Sequence, residues 1–523
     1  MKTKAIIYSI ATFKDINLIS IMIKMNSIAS KKAHSAMWKK LIALLIIAIL
    51  TVVLCSSCTN NKTPKEHTGI HAPYEDILFK KGNLNDIQID MEDWESFVQE
   101  TFETTFTGSV EQQLQEKEYD SCSVVINGEE IKNIGIRTKG SYSLQTAIDS
   151  GSDRFSLVLK FNAFDKQKYH SLRMIDLNSN IMDATSMKDA ITYDMFRYIG
   201  LPAPLCNYAK ITVNGKYFGC YLAVEPIGKD FCKRNFGENY GSLYKPLHSL
   251  TYTGFWPSKY KLIKDTIKID RSPFSNVKSA LKSVHNRQDI EKHVDVDAIM
   301  KYMAVQTMVV NLDGLTGNNT RNFYLYESDG RISLIPWDYD LAFGGLMLYN
   351  DKMFNQRMKD MEKGTFNKEK WQQDKENAYH DEIRQIINLP IDTPFMCDLS
   401  EREFFMNILD IAEYRDKYHK YLSILAEQYV LGGELEKTIN IYTAEIQDIV
   451  GTEENAHYKN ADFATAIEQL KLFLQMKSES VIGQLNDSIP SDRNSQAISP
   501  EKLIDTSDLD VRLMGTEWRS WSN

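Results

Sequence analysis

Alternation of apolar and polar positions marks strands at several places along the chain. DIQIDMEDWESFVQETF alternates and then changes to helical spacing, which predicts a strand followed by a short amphipathic helix. SCSVVINGEEIKNIGIRTKG reads as two strands joined at Asn127-Gly128, a dipeptide suited to a tight hairpin because both turn residues take positive φ. RFSLVLKF is another strand, with Lys160 near its end. From Asp183 the period changes: Met187, Ile191, Met195 and Ile199 recur at helical spacing, and the pattern stops at Gly200 before Pro202, a glycine cap followed by a breaker. YAKITVNGKYFGCYLAVEPIG then predicts a second hairpin around Asn214-Gly215 that ends at Glu225 and a proline.

The second half is richer in helix. KDFCKRNFG predicts a short helix, SLYKP a short strand, and the polar segment Leu247–Arg271 an excursion. Helices are expected over Asn276–Val284 and Val296–Val310, the latter so rich in Met, Val and Ala that it should be buried. FYLY and RISLI are strands around Asp329-Gly330. Between Glu401 and Leu485 three helices are expected, the first running through REFFMNILDIAEYRDKYHKYLSILAEQY, whereas Asn486–Asn523 loses the rhythm and reads as a loose end. Antiparallel strands, one helix, more strands and then helices describe an α+β protein rather than a doubly wound parallel sheet.

The amino end adds an address. Met37 opens MWKKLIALLIIAILTVVLCSSC, where two lysines precede the 14-residue run Leu41–Leu54. That run is shorter than the roughly 20 residues a spanning helix needs, and it fits the zones of a secretory signal. The spacing resembles a bacterial lipoprotein signal at residues 37–57 with Cys58 as the lipidated first mature residue, although Cys55 is an unusual occupant. A single uncleaved membrane anchor is the alternative. Residues 1–36 stand upstream of the pattern as a possible extension, 58–76 read as a polar tether, and the folded region is expected from 77.

Composition changes this picture little. A hydrophobic fraction of 43%, a charged fraction of 25% and a net charge of -9 suit a soluble folded region and give no reason to expect a nucleic-acid surface, with a local basic groove left open. Cys122, Cys206, Cys220, Cys232 and Cys397 lack metal-ligand spacing; Cys206 and Cys220 are placed for a cross-hairpin pair, with buried free thiols the preferred reading. The histidines are scattered, so zinc chemistry has no support. Neither a phosphate-binding loop ending in Gly-Lys-Ser/Thr nor a Gly-x-Ser-x-Gly elbow occurs.

Candidate chemistry gathers in NLDGLTGNNTRNFYLYESDGRISLIPWDYDLAFGG. The hairpin brings Asn322 near Asp338, and on an extended chain Asp338 and Asp340 point the same way, so the three offer hard oxygen ligands for magnesium, manganese or calcium. Asp313 lies on the neighbouring loop, free to activate a nucleophile. Against this stands a plain reading in which Asp313-Gly314 is a turn and Asp338 a cap. Pro336, Trp337, Phe343 and Gly344 indicate a braced segment.

GIRTKGSYS, SMKDAITYDMFRYIGLPAP, ITVNGKYFGCYLAVEPI, GSLYKP, the NLDGLTGNNTRNFYLY loop and IPWDYDLAFG together resemble the spore coat protein H (CotH) kinase family of atypical secreted or surface kinases, over about Ile77 to Gln484. The resemblance implies a two-lobed protein-kinase-like fold: a nucleotide-binding lobe at 77–228, a mostly helical lobe at 229–485 with a charged insertion at 346–382, and a tail at 486–523. It implies ATP-dependent transfer to Ser or Thr hydroxyls with Mg²⁺ or Mn²⁺. On this resemblance Asp313 is the base, Asn322 or else Asn318 the metal-binding asparagine, and Asp338 the metal-binding aspartate, with Asp340 sharing that role. Arg137 and Lys139 face phosphate, Lys160 is the phosphate-pairing lysine, and Glu225 either touches the nucleotide or caps Lys229. The helix offers only Asp189 and Asp194 as the lysine's acidic partner, shorter than the usual glutamate. The implied setting is the bacterial cell envelope, with a lipid anchor in the membrane, an exported or envelope protein as acceptor and no nucleic acid. Two other functions remain open: a kinase-like surface assembly protein that has lost transfer, and a protein nucleotidyltransferase. The insertion is either a mobile flap or a solvated excursion.

Overall fold

Three tight turns set the order of the strands. Asn127 and Gly128, Asn214 and Gly215, and Asp329 and Gly330 all adopt positive φ, between 47° and 88°, the backbone that matches the right-handed twist of paired strands. They were found in a computed structural model that describes residues 69–103, 118–246, 250, 260–262, 274–318 and 322–516. The chain divides into Met1–His67 and Thr68–Asn523; the signal-like segment 37–58 lies outside the described residues, as does most of 247–271.

Helix α1 (Pro73–Leu78) leads into β1 (Asn85–Asp90) and α2 (Trp94–Phe102), then β2 (Asp120–Ile126), β3 (Glu129–Thr138), α3 (Tyr142–Ser150), β4 (Leu157–Lys160) and β5 (Met174–Asn178). Helix α4 (Lys188–Tyr198) separates these from β6 (Cys206–Val213) and β7 (Lys216–Val224). The seven strands close a barrel in the order β1-β2-β3-β4-β5-β7-β6. Its closure is the parallel pairing of β1 with β6, which leaves no open edge. Inward positions such as Ile87, Val124, Ile136, Leu157, Leu177 and Ile211 fill it.

Beyond α5 (Lys229–Phe236), a second sheet is built from β8 (Ser242–Pro246), β9 (Tyr260–Leu262), β10 (Phe323–Ser328) and β11 (Arg331–Pro336), ordered β11-β10-β8-β9. Between its strands lie α6 (Ser275–His285), α7 (Ile290–His293) and α8 (Val296–Val309), the last buried along its whole length from Tyr302 onward, as its composition requires. The architecture is α+β, a barrel followed by a mostly helical region.

The charged insertion forms two helices, α9 (Tyr349–Glu362) and α10 (Lys368–Ile387). Two expectations are corrected. The first long helix breaks into α11 (Glu403–Leu409) and α12 (Ala412–Ser423) because α11 packs on α6 while α12 packs on α8; two directions of burial outweigh continuous helical propensity. A π-helical turn at Ile424–Val430 leads to α13 (Glu434–Ile446) and α14 (Asn460–Leu485). Through Thr516 the tail is packed, not loose: α15 (Arg493–Ile498) follows, and Leu509, Val511 and Met514 are buried. Three apolar anchors in an irregular segment leave no periodic signature.

Cys206 faces Val224 and Cys220 faces Lys210 in the hairpin, so these thiols are not opposite one another; both are buried and free. Among the described residues no helix is long and apolar enough to cross a membrane.

Candidate functional site

Helix α8 ends in strain. Val310, a β-branched residue, takes φ 44°, a conformation that persists only where packing enforces it. It turns the chain into Asn311-Leu312-Asp313. The buried Asn311 side chain accepts the Asp313 N–H (3.1 Å) and donates through Nδ2 to the Asp338 carbonyl (2.9 Å), so one amide ties both loops. Asn322, just before the Phe323–Pro336 pair of the hairpin, donates through Nδ2 to Asp313 at Oδ2 (2.7 Å) and at its carbonyl (2.8 Å). The buried Arg402 anchors the far side of the loop through the carbonyls of Leu315 and Gly317.

The segment after β11 is not extended. Asp338 has φ 70° and Phe343 φ 57°, which corrects the expectation of carboxylates aligned along a straight strand. Backbone donors hold the turn: Asp338 N–H to Tyr193 Oη (3.2 Å), Tyr339 N–H to Asp189 Oδ1 (2.8 Å), and Phe343 N–H to the Val309 carbonyl (2.8 Å). The Tyr339 ring is buried and its hydroxyl meets Gln306 (2.7 Å). Asp313, Asn322, Asp338 and Asp340 all keep partial access to solvent. Desolvation holds the Asp340 carboxyl well above the usual carboxylate range, and the charges of Asp338, Asp189 and Asp313 push it the same way, with Lys188 opposing. Among the described residues no three His, Cys, Asp or Glu side chains form a ready metal cluster.

On the barrel side, Lys139 follows β3. Its Nζ lies 3.0 Å from Asp176 Oδ2 and 2.7 Å from Asn178 Oδ1, and 5.2 Å from the centre of the Trp337 ring. Asn178 Nδ2 donates to Asp189 Oδ2 (3.0 Å), and burial first, then the Asp338 charge, pushes the Asp189 carboxyl upward. A polar chain therefore runs from Lys139 through Asn178 and Asp189 to the backbone of Tyr339. Asp176 and Asn178 were missed as site residues, although their i,i+2 spacing in MIDLN puts both on one face of a strand. Asn311 and Arg402 carried no comparable signal, because their partners are distant carbonyls.

The other candidates lie apart from this chain. Lys160 closes the opposite end of β4, paired with Gly135 and Met174, its Nζ over the Tyr119 ring at 4.9 Å. Arg137 shares that ring at 5.3 Å and donates to the Thr138 carbonyl. Neither helix aspartate joins Lys160: Asp189 is held as above, and Asp194 accepts from Lys81, Tyr429 (3.0 Å) and Thr438 (3.2 Å). Glu225 is wholly buried; its oxygens accept from Tyr74 (2.6 Å), Leu205 N–H (3.2 Å) and Arg234 (2.6 and 2.9 Å). These partners, rather than Lys229, hold its carboxylate. Asn318 is exposed at the edge of residues 319–321, which lie outside the described residues.

Residues 136–481 match the family described as CotH kinase protein. The "Inner spore coat protein H" of Bacillus subtilis (strain 168) is 27% identical over 216 residues, covering 35% of this chain and 56% of that protein. The chain thus spans just over half the length of that relative.

Proposed function

The chain belongs to the CotH kinase protein family, and from that premise we propose that it transfers the γ-phosphoryl group of ATP to a Ser or Thr hydroxyl of a protein acceptor. The observation that carries the reading is Asn311, whose single amide joins the Asp313 loop to the Asp338 loop. Phosphoryl transfer depends on such placement, since most of the catalysis is positioning and charge neutralisation.

In this reading the barrel and the helical region are the two lobes of a kinase-like fold, with nucleotide between Lys139 and the Asp338 loop. Asp313, oriented by Asn322, accepts the proton of the acceptor hydroxyl. The hydroxyl oxygen bonds to the γ-phosphorus while the bond from that phosphorus to the β–γ bridging oxygen breaks, and ADP leaves with the electron pair. Lys139, set by Asp176 and Asn178, supplies the cationic contact to phosphate, whereas Arg137 lies with Lys160 over the Tyr119 ring, apart from it. Asp338, Asp340 and Oδ1 of Asn322 are hard oxygen donors; burial first, and then the negative charge of Asp338, Asp189 and Asp313, raises the Asp340 carboxyl, and a divalent cation would relieve that second contribution. The donor set fits Mg²⁺ or Mn²⁺, which when bound would neutralise phosphate charge. Placement at the cell envelope, with an exported or envelope protein as acceptor, extends to this chain the coat association in the name of the Bacillus relative; lipidation at Cys58 is the means of attachment we propose.

The test is incubation of purified protein with γ-labelled and, separately, α-labelled ATP, Mg²⁺ or Mn²⁺ and a protein acceptor, read by intact mass. Transfer of the γ label, lost by about 10²–10⁴-fold in Asp313→Asn, supports the assignment. Unchanged transfer in Asp313→Asn removes the base, incorporation of the α label replaces phosphorylation with nucleotidylation, and nucleotide binding without transfer points to an assembly protein.

A further inference from the structure

The segment that follows the family match returns to the site. Its buried Val511 sits on the Asp338 loop so closely that a methyl group on Gly344 would meet the Val511 side chain at 3.2 Å. Three residues on, the Met514 carbonyl accepts the Ala184 N–H (3.0 Å) and the Gly515 carbonyl accepts Nζ of Lys188 (2.7 Å). The far side is fastened to α10 and α14. The Tyr379 hydroxyl donates to Asp510 Oδ1 (2.8 Å) and accepts the Val511 N–H (3.0 Å), Arg512 stacks over the Tyr379 ring at 4.1 Å, and Asp510 N–H donates to Gln469 (2.8 Å).

Lys188 makes this more than packing. It is wholly buried in the first turn of α4, beside Asp189; burial pushes its ammonium down, and the charges of Asp183, Asp340 and Asp189 oppose that shift. A buried ammonium needs polar partners. Its Nζ has Gly515 at 2.7 Å and the longer Met182 carbonyl at 3.4 Å. The strap thus provides the nearer acceptor for Lys188 Nζ, and it braces a loop holding two strained residues, Asp338 and Phe343.

We propose that residues 505–516 are a positioning strap for the Asp338–Gly345 loop: Val511 seats the loop at Gly344, and the Gly515 carbonyl holds Lys188 at the start of α4, next to the Asp189 that accepts the Tyr339 N–H. The catalytic consequence rests on the reading of Asp338 as a metal-binding residue; the mechanical one does not.

The experiment compares the full chain with Val511→Ala, which shortens the seat, and Tyr379→Phe, which removes one hydroxyl while keeping the ring beneath Arg512. Hydrogen exchange of peptides spanning 338–345 is read alongside peptides from β2 and β3, thermal melting, and the Mg²⁺ dependence of nucleotide binding. The strap predicts exchange in 338–345 faster by about fivefold, the scale of one lost hydrogen bond, with β2 and β3 unchanged and half-saturation by Mg²⁺ shifted several-fold upward. A strap that adds only general stability would accelerate exchange everywhere and leave the Mg²⁺ dependence unchanged, which would overturn the proposal. So would unchanged exchange in 338–345 in both variants. If the parent binds no nucleotide, the kinase reading fails while local exchange still decides the strap; if Val511→Ala does not fold, Tyr379→Phe decides it.

Discussion

Asp189 accepts the backbone N–H of Tyr339 at 2.8 Å. The acid of α4 therefore touches the candidate metal loop directly and reaches the cation, Lys139, through the Asn178 amide, whose Nδ2 donates to its other oxygen. A short aspartate suffices because an asparagine spans the remaining distance.

Replacement of Asp189 with Asn should expose that relay. An asparagine can still accept from Tyr339, but its NH₂ then faces the NH₂ of Asn178; if Asn178 flips to relieve this, it turns a donor toward Lys139. Phosphoryl transfer should fall at least about tenfold, a scale set by loss of one charge-assisted contact, with the fold retained. Steady-state kinetics of Asp189→Asn beside Asp194→Asn check it; equal, small effects would remove Asp189 from the site.

The two lysines separate just as clearly. Lys139→Met should lower transfer by about 10²–10³-fold, the usual effect of removing one fixed electrostatic contact to a transition state. Lys160→Met, at the far end of β4 against Tyr119, should leave rates close to those of the parent. The reverse order in single-turnover assays would restore Lys160 as the phosphate-pairing residue.

Glu225 should matter for stability rather than for nucleotide. Glu225→Gln leaves the largely covered Arg234 without this charge partner, a loss that for a buried pair typically costs about 3–5 kcal/mol. Urea denaturation should show that loss, while the folded fraction retains the parent affinity for ATP in calorimetry. A large drop in affinity with unchanged stability would give Glu225 back to the nucleotide.

Lys477 predicts a pH dependence. It is fully buried, its Nζ donating to the carbonyls of Ile386 (3.1 Å) and Ile387 (3.2 Å), and burial pushes its ammonium down to about 7 from an ordinary 10.5. Between those two values the unfolded chain binds the extra proton, so this group makes stability rise with pH across that window, and its full penalty is present below pH 7. Between pH 7 and pH 9 the parent should gain roughly 2 kcal/mol relative to Lys477→Met. Denaturant titrations of both proteins at the two pH values measure it; a constant difference would refute the assignment.

What the chain order alone determined is local. Turn dipeptides with positive φ placed the three hairpins, and helical spacing placed α4 and α8, because both signals lie within a few neighbouring residues. Asp313, Asn322 and Asp338 were legible as a group since one hairpin and its two flanking loops bring them together. Tertiary structure decided the rest. The contact of Asp189 with Tyr339 joins residues 150 apart in sequence, and that of Lys188 with Gly515 joins residues 327 apart; no local pattern encodes such a pair. Lys139 rather than Lys160 meets the carboxylates because the antiparallel register of β3, β4 and β5 puts the carboxyl end of β3 beside Asn178. The tail became a strap because three apolar side chains found a slot between helices, a gain of buried surface that depends on the slot and leaves no period in the sequence.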